Sequence, residues 1–181
     1  MVVLSPRRML QRRVYLPWVP IPAGRRVDLA GRGTTYVTDT PGPSPQAPVI
    51  VLLHALGCTG LLTWFPAIPA LARRYRVVTL DQRWHGQGIQ SERFSLHDCA
   101  DDVAALLDVL EIPEAVVAGY SMGGVVAQRV WRQHPQRVAG LVLCSTTDRF
   151  QNGLGERPVV DVGRGQIEPC GSRPGGPDRG S

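Results

Sequence analysis

Apolar residues fall into two patterns along this chain. In the first, aliphatic side chains run without polar alternation: Pro48 to His54 (with Val49-Ile50-Val51-Leu52-Leu53), Arg76 to Leu80, Glu114 to Ala118, and Gly140 to Cys144. Uninterrupted runs of strand length predict strands covered on both faces, as in a parallel sheet. In the second, apolar residues recur at helical spacing. Cys99, Val103, Leu106, Leu107 and Leu110 form one stripe, with Ser95 and Asp98 placed as a capping box before it. Val125, Val126 and Val130 form another, ending near His134-Pro135. Trp64, Ile68 and Leu71 also share helical spacing, and Pro66 and Pro69 predict that any helix there lies on their C-terminal side. Strand and helix patterns thus alternate from Val49 to Cys144, the signature of βαβ units. Upstream, Arg25–Ala30 and Thr34–Thr40 flank Gly31-Arg32-Gly33 and predict a hairpin.

Composition sharpens this outline. A chain of 181 residues allows one ordinary domain, and 43% hydrophobic residues exclude a wholly disordered one. Three segments are expected: an irregular basic arm over 1–23, the N-terminal part of a domain over 24–150, and a disordered tail over 151–181. The tail holds eight glycines, four prolines and four arginines, and its aliphatic residues are Leu154, Val159, Val160, Val162 and Ile167. No helix there could cover a sheet, although Val159–Val162 could make one short strand.

Charge and cysteine usage exclude several function classes. Six arginines precede the first acid, Asp28, so a net charge of +5 leaves the rest of the chain at −1. A solvated basic tail is the expectation, with no nucleic-acid partner. No apolar stretch is long enough for a signal sequence or a membrane span. Cys58, Cys99, Cys144 and Cys170 show neither C-x-x-C nor metal-ligand spacing, so free thiols in a reducing cytoplasm are expected, without metal or cofactor. All 20 basic residues are arginine. The absence of lysine excludes a P-loop, and Gly119-Tyr120-Ser121 breaks the dinucleotide-binding pattern.

The chemical signal is Gly119-Tyr120-Ser121-Met122-Gly123-Gly124. It follows a predicted buried strand and precedes a predicted helix, the context that G-x-S-x-G requires for a nucleophile elbow. Such a turn needs Gly119 and Gly123 where strand and helix approach closely. It lifts Ser121 above the sheet edge, beside the helix N-terminus and its free N–H groups.

Three motifs in order resemble the α/β-hydrolase superfamily of esterases, lactonases and C–C hydrolases. Leu52-Leu53-His54-Ala55-Leu56-Gly57 is similar to the family's oxyanion turn. Asp81-Gln82-Arg83-Trp84-His85-Gly86-Gln87-Gly88 is similar to its D-x-R-G-H-G-x-S turn, and Gly119–Gly124 to its elbow. The resemblance covers roughly residues 25–150. It implies an α/β-hydrolase fold: a mainly parallel sheet with an N-terminal antiparallel hairpin, with later strands and lid missing. It also implies a small ester- or lactone-type substrate, Ser121 as nucleophile, and the backbone N–H groups of Leu56 and Met122 as the oxyanion hole. His54 either shapes its turn or is a satisfied core histidine. Two residues depart from the pattern. Ala55 replaces a glycine, which strains the turn if φ must be positive, and Trp84 replaces another in a tight turn.

The family places an acid and then a histidine after the serine. Asp148 follows the last predicted strand and is the candidate acid, with Asp161 behind it. The only later histidine, His134, lies about 13 residues along the same helix, roughly 20 Å away, and cannot serve as base. His97 is expected to be solvated on a surface helix. His85, in a loop at the correct sheet edge, is the remaining surrogate. Two readings stay open: a catalytically inert binding module or vestigial fragment, and a truncated or frameshifted hydrolase. The Gly/Arg/Pro-rich tail fits out-of-frame reading of GC-rich DNA. Either way activity is expected to be very low, and missing strands would leave a sheet edge open to self-association.

Overall fold

The computed structural model describes residues 22–147. Residues 1–21 of the expected arm, the tail over 151–181, Asp148, Asp161 and Cys170 lie outside the described residues. Six strands form one sheet: β1 (Gly24–Leu29), β2 (Gly33–Thr40), β3 (Val49–Leu53), β4 (Arg76–Leu80), β5 (Ala115–Tyr120) and β6 (Val138–Cys144). Their order across the sheet is β1-β2-β4-β3-β5-β6. The hairpin β1–β2 is antiparallel, and β2 joins β4 antiparallel. From β4 onward the pairs β4–β3, β3–β5 and β5–β6 are parallel. The mixed sheet with its N-terminal hairpin is the fold expected of an α/β hydrolase.

The aliphatic runs become the central strands because both faces are covered. Val51, Leu53, Val78, Leu80 and Val117 face one cluster, under α3 (Leu96–Val109) and α4 (Met122–Gln133). Ile50, Leu52, Val77 and Ala118 face the other, under the short helices α1 (Gly60–Trp64) and α2 (Ile68–Leu71). Period-2 alternation sends successive residues of each strand to opposite helical layers.

Several boundaries differ from expectation. A helix forms before Pro66 as well as after it. Thr59 caps α1 with its side-chain oxygen, which accepts from the Leu62 N–H at 3.1 Å. Pro66 only bars that helix from continuing. Pro69 sits in the first turn of α2, where its missing N–H costs nothing. The β5 strand runs to Tyr120 rather than ending at Ala118, because Gly119 and Tyr120 still pair with Leu143 and Cys144 of β6. Only half of the expected capping box forms. Ser95 Oγ accepts from the N–H groups of His97 and Asp98, at 3.2 and 3.5 Å, while the Asp98 carboxylate turns to Arg32 at 3.8 Å.

Ala55 is not in the left-handed region, so the anticipated strain does not arise there. Gly57, two residues on, takes the positive φ of 72° instead. At Trp84 the departure does carry strain. Its φ is 63°, where glycine would be at home. The indole is held there by a 2.9 Å bond from Nε1 to the Ser91 carbonyl and by Phe94, with ring centroids 5.5 Å apart.

Candidate active site

The strands β4, β3 and β5 lie side by side and parallel, so the three motif turns emerge at one edge of the sheet. Two of them are fastened together. The Gln82 N–H donates to His54 Nε2 at 2.8 Å, and Gln82 Nε2 donates to the His54 carbonyl at 2.8 Å. Asp81 accepts from the Gly60 N–H through one oxygen and from the Gln87 N–H through the other, both at 2.9 Å. It therefore anchors the start of α1 and the turn after β4 together. Gly86, at φ 52°, leaves no room for a side chain, since a Cβ would sit 2.3 Å from Asp81 Oδ2.

His54 is fully buried. Because Nε2 accepts from a backbone N–H, the ring proton is on Nδ1, which donates to the Ala55 carbonyl at 2.7 Å. Burial lowers the His54 pKa to about 4; the Ala55 bond opposes that shift and the neighbouring His85 adds to it. The neutral ring ties two turns together.

The third turn is the elbow. Gly119 and Gly123 are required by backbone contact. A Cβ on Gly119 would lie 2.1 Å from the Gly123 carbonyl oxygen, and one on Gly123 would lie 2.2 Å from that of Leu53. Between them Ser121 takes φ 53° and ψ −117°, and it occupies the N-cap position of α4. Thr59 and Ser95, the N-caps of α1 and α3, both accept helix N–H groups through their side-chain oxygens. Ser121 makes no such bond. A strained backbone, costing on the order of 1–3 kcal/mol, thus directs the hydroxyl away from its ordinary capping role. The Ser121 N–H donates to the Cys144 carbonyl at 2.9 Å, fixing the elbow to the end of β6. Met122 opens α4, where a first-turn N–H has no intrahelical partner. Leu56 follows β3, the strand beside β5, and is largely exposed.

All four histidines of the sequence are among the described residues, and none hydrogen-bonds Ser121. His85 lies in the turn after β4 with Nδ1 against the Arg83 carbonyl at 2.7 Å. Its ring packs on His54 and Phe94, with centroids 5.1 and 6.2 Å away. His97, exposed as expected, is nonetheless engaged: Arg129 reaches Nε2 at 2.6 Å and Gln133 Oε1 lies 2.7 Å from Nδ1. His134, at the far end of α4, meets Asp101 at 2.8 Å.

A family model for the alpha/beta hydrolase fold matches residues 48–180, more than half of the chain. The chain belongs to the alpha/beta hydrolase family. The 3-oxoadipate enol-lactonase 1 of Acinetobacter baylyi is 42% identical over 96 residues, covering 53% of this chain and 35% of that protein. The dihydrolipoyllysine-residue acetyltransferase component of the acetoin cleaving system of Pseudomonas putida is 42% identical over 108 residues, covering 59% and 28%. Among solved structures, the enol-lactonase from Burkholderia xenovorans LB400 superposes with a TM-score of 0.62 at 30% identity, covering 69% of this chain and 48% of that one. The chain therefore spans less than half the length of these relatives.

Sequence reasoning missed the residues that brace the site. Asp81 opens the turn motif but was given no bracing role there, and Gln82 and Thr146 carry no motif signature of their own. The one available signal was Gly124, a third glycine beyond what G-x-S-x-G requires.

Proposed function

We propose that this chain is a serine hydrolase by lineage, acting on ester, lactone or related carbonyl compounds through Ser121, with very low turnover. The observation that carries the reading is the helix-capping position occupied by a serine that does not cap. In this reading the hydroxyl is presented at the sheet edge, next to a helix start whose first N–H groups lack intrahelical partners. Kinship with enol-lactonases supports the substrate class.

In this reading Ser121 Oγ attacks the substrate carbonyl carbon and gives up its proton. The N–H groups of Met122 and Leu56 donate to the oxyanion as negative charge develops there. Collapse expels the alcohol or opens the lactone and leaves an acyl ester on Ser121, which water then hydrolyses. Both proton transfers need a base. His54 is committed to two turns, His85 rests on the Arg83 carbonyl, and the acid expected at Asp148 would have no histidine to orient. This favours slow chemistry, or an inert binding module on the same fold. We also propose that the β6 edge, which has no strand beyond it among the described residues, supports self-association.

Fluorophosphonate labelling separates the two readings of Ser121. Labelling that disappears in Ser121→Ala is expected of the nucleophile, and wild-type chain that never labels would establish the inert module. Hydrolysis of p-nitrophenyl acetate should stay well below the ordinary enzyme median of about 10 s⁻¹. A rate near that median would reveal a base that this reading lacks.

A further inference from the structure

The elbow is gripped from beyond β6 by a side chain that no motif contains. After Cys144 the chain turns sharply at Ser145, with φ 46°, and brings Thr146 back over the first turn of α4. Thr146 Oγ1 donates to the Ser121 carbonyl at 2.7 Å. The other acceptor within its reach, the Thr147 carbonyl, is farther away at 3.5 Å. The same Ser121 carbonyl accepts from the Gly124 N–H at 2.9 Å. Gln128 fastens this return segment a second time. Its Nε2 donates to the Thr147 carbonyl at 2.9 Å and to the Gly124 carbonyl at 3.2 Å.

Gly124 now has a physical reason. A Cβ there would lie 2.5 Å from Thr146 Cβ and 2.6 Å from both Cγ2 and Oγ1. Gly119 and Gly123 are glycine because backbone meets backbone. Gly124 is glycine because Thr146 occupies the space its side chain would need. We propose that Thr146 is a positioning residue for Ser121: its hydroxyl holds the carbonyl of the strained elbow, and Gly124 is kept bare to admit it. The peptide plane it holds is the one between Ser121 and Met122. It therefore sets both the Ser121 backbone that carries the hydroxyl and the Met122 N–H. The consequence for reactivity rests on Ser121 being the nucleophile; the consequence for the backbone does not.

Backbone amide exchange followed by NMR on the full chain tests the clamp directly. Thr146→Val keeps the shape and removes the hydroxyl, whereas Thr146→Ser keeps the hydroxyl. Exchange at the Gly124 amide should be about fivefold faster in Thr146→Val, the loss expected for one neutral hydrogen bond. Thr146→Ser should stay within about twofold of wild type, and amides in α3 should not change. Gly124→Ala offers a second route, because its Cβ displaces Thr146. It should raise exchange at the Ser121 amide comparably, and combining it with Thr146→Val should add nothing further. Unchanged exchange in Thr146→Val or in Gly124→Ala would overturn the proposal, as would failure of Thr146→Ser to restore protection.

Fluorophosphonate labelling then reads the chemical consequence. The rate should fall about fivefold in Thr146→Val and return in Thr146→Ser. A wild-type chain without Ser121-dependent labelling counts against the nucleophile alone, and the exchange comparison still decides the role of Thr146.

Discussion

Burial, with the Gln82 N–H donating to Nε2, holds the His54 imidazole neutral, and its place in the structure gives that state a measurable cost. A proton on Nε2 would face the Gln82 N–H, which already donates to that atom. His85 stands against the ring on one side, while the bond to the Ala55 carbonyl and the buried Asp81 carboxylate favour the cation without overcoming burial. The ordinary value of 6.5 therefore falls to about 4 in the folded chain. Between those values the unfolded chain takes up a proton that the folded chain refuses. Stability is complete above pH 6.5, drains away as pH falls towards 4, and levels off below that. A shift of this size corresponds to about 3 kcal/mol. Urea unfolding at pH 7 and pH 4.5 should show most of that loss. An NMR titration of the His54 ring should have its midpoint near 4. A midpoint at the ordinary histidine value would mean that the ring is wetter than its burial implies. In sequence, a histidine at a strand end reads equally well as turn-shaper or core residue. Its partner Gln82 lies 28 positions away, beyond the reach of any local pattern.

Elements are held in register by charge as well as by aliphatic packing. Asp102 on α3 is buried and accepts from Arg83 through both oxygens, at 2.6 and 2.9 Å. Arg32, in the β1–β2 turn, reaches the same carboxylate at 2.6 Å. One side chain thus joins the hairpin, the turn after β4 and the long helix. Burial alone would lower the Arg83 pKa, and the hydrogen bonds and charge of Asp102 outweigh it, so the guanidinium is held above its ordinary value. Asp102→Asn leaves Arg83 buried without its counter-charge and should cost about 3–5 kcal/mol in urea unfolding. Asp39 pairs with Arg76 in the same two-pronged way, at 2.9 and 2.7 Å, but with side chains 24% and 33% exposed. Asp39→Asn should cost less than about 1 kcal/mol. Equal losses would show that burial does not set the difference. The stripe from Cys99 to Leu110 and the aliphatic runs made α3 and the central strands legible, because periodicity reports which faces are covered. Helix α1 was not legible: five residues are too few for a period, and its anchor is the distant Asp81. The elbow was readable since backbone clashes leave glycine alone at two fixed spacings. Thr146 was not, since its contact depends on where β6 ends.

At the scale of the whole sheet the two outer strands differ in a way that bears on association. An edge strand offers a row of unpaired N–H and C=O groups to any other chain, and charged side chains are a usual protection. The hairpin edge β1 has that protection: Arg25, Arg26 and Asp28 are exposed along it. The opposite edge, β6, reads Val-Ala-Gly-Leu-Val-Leu-Cys, with no charge and no proline. Among the described residues it has no neighbour beyond β5, and while Val138 and Leu141 pack partly against the core, two of its aliphatic side chains stay open. Val142 and Leu143 point to opposite sides of the sheet and are 43% and 46% exposed. The central strands β3 and β4, of similar composition, are almost wholly buried. A strand built like them but left half-covered should pair with its equivalent in a second copy. Two antiparallel β6 strands related by a two-fold axis would close the contact at a dimer. Sedimentation velocity should show an association that grows with concentration through the micromolar range. Val142→Lys puts a charge on the exposed face and should weaken it by roughly tenfold. Arg26→Ala, on the protected edge, should leave it unchanged. A wild-type chain that stays monomeric throughout, or a dimer indifferent to Val142→Lys, would move the contact away from β6.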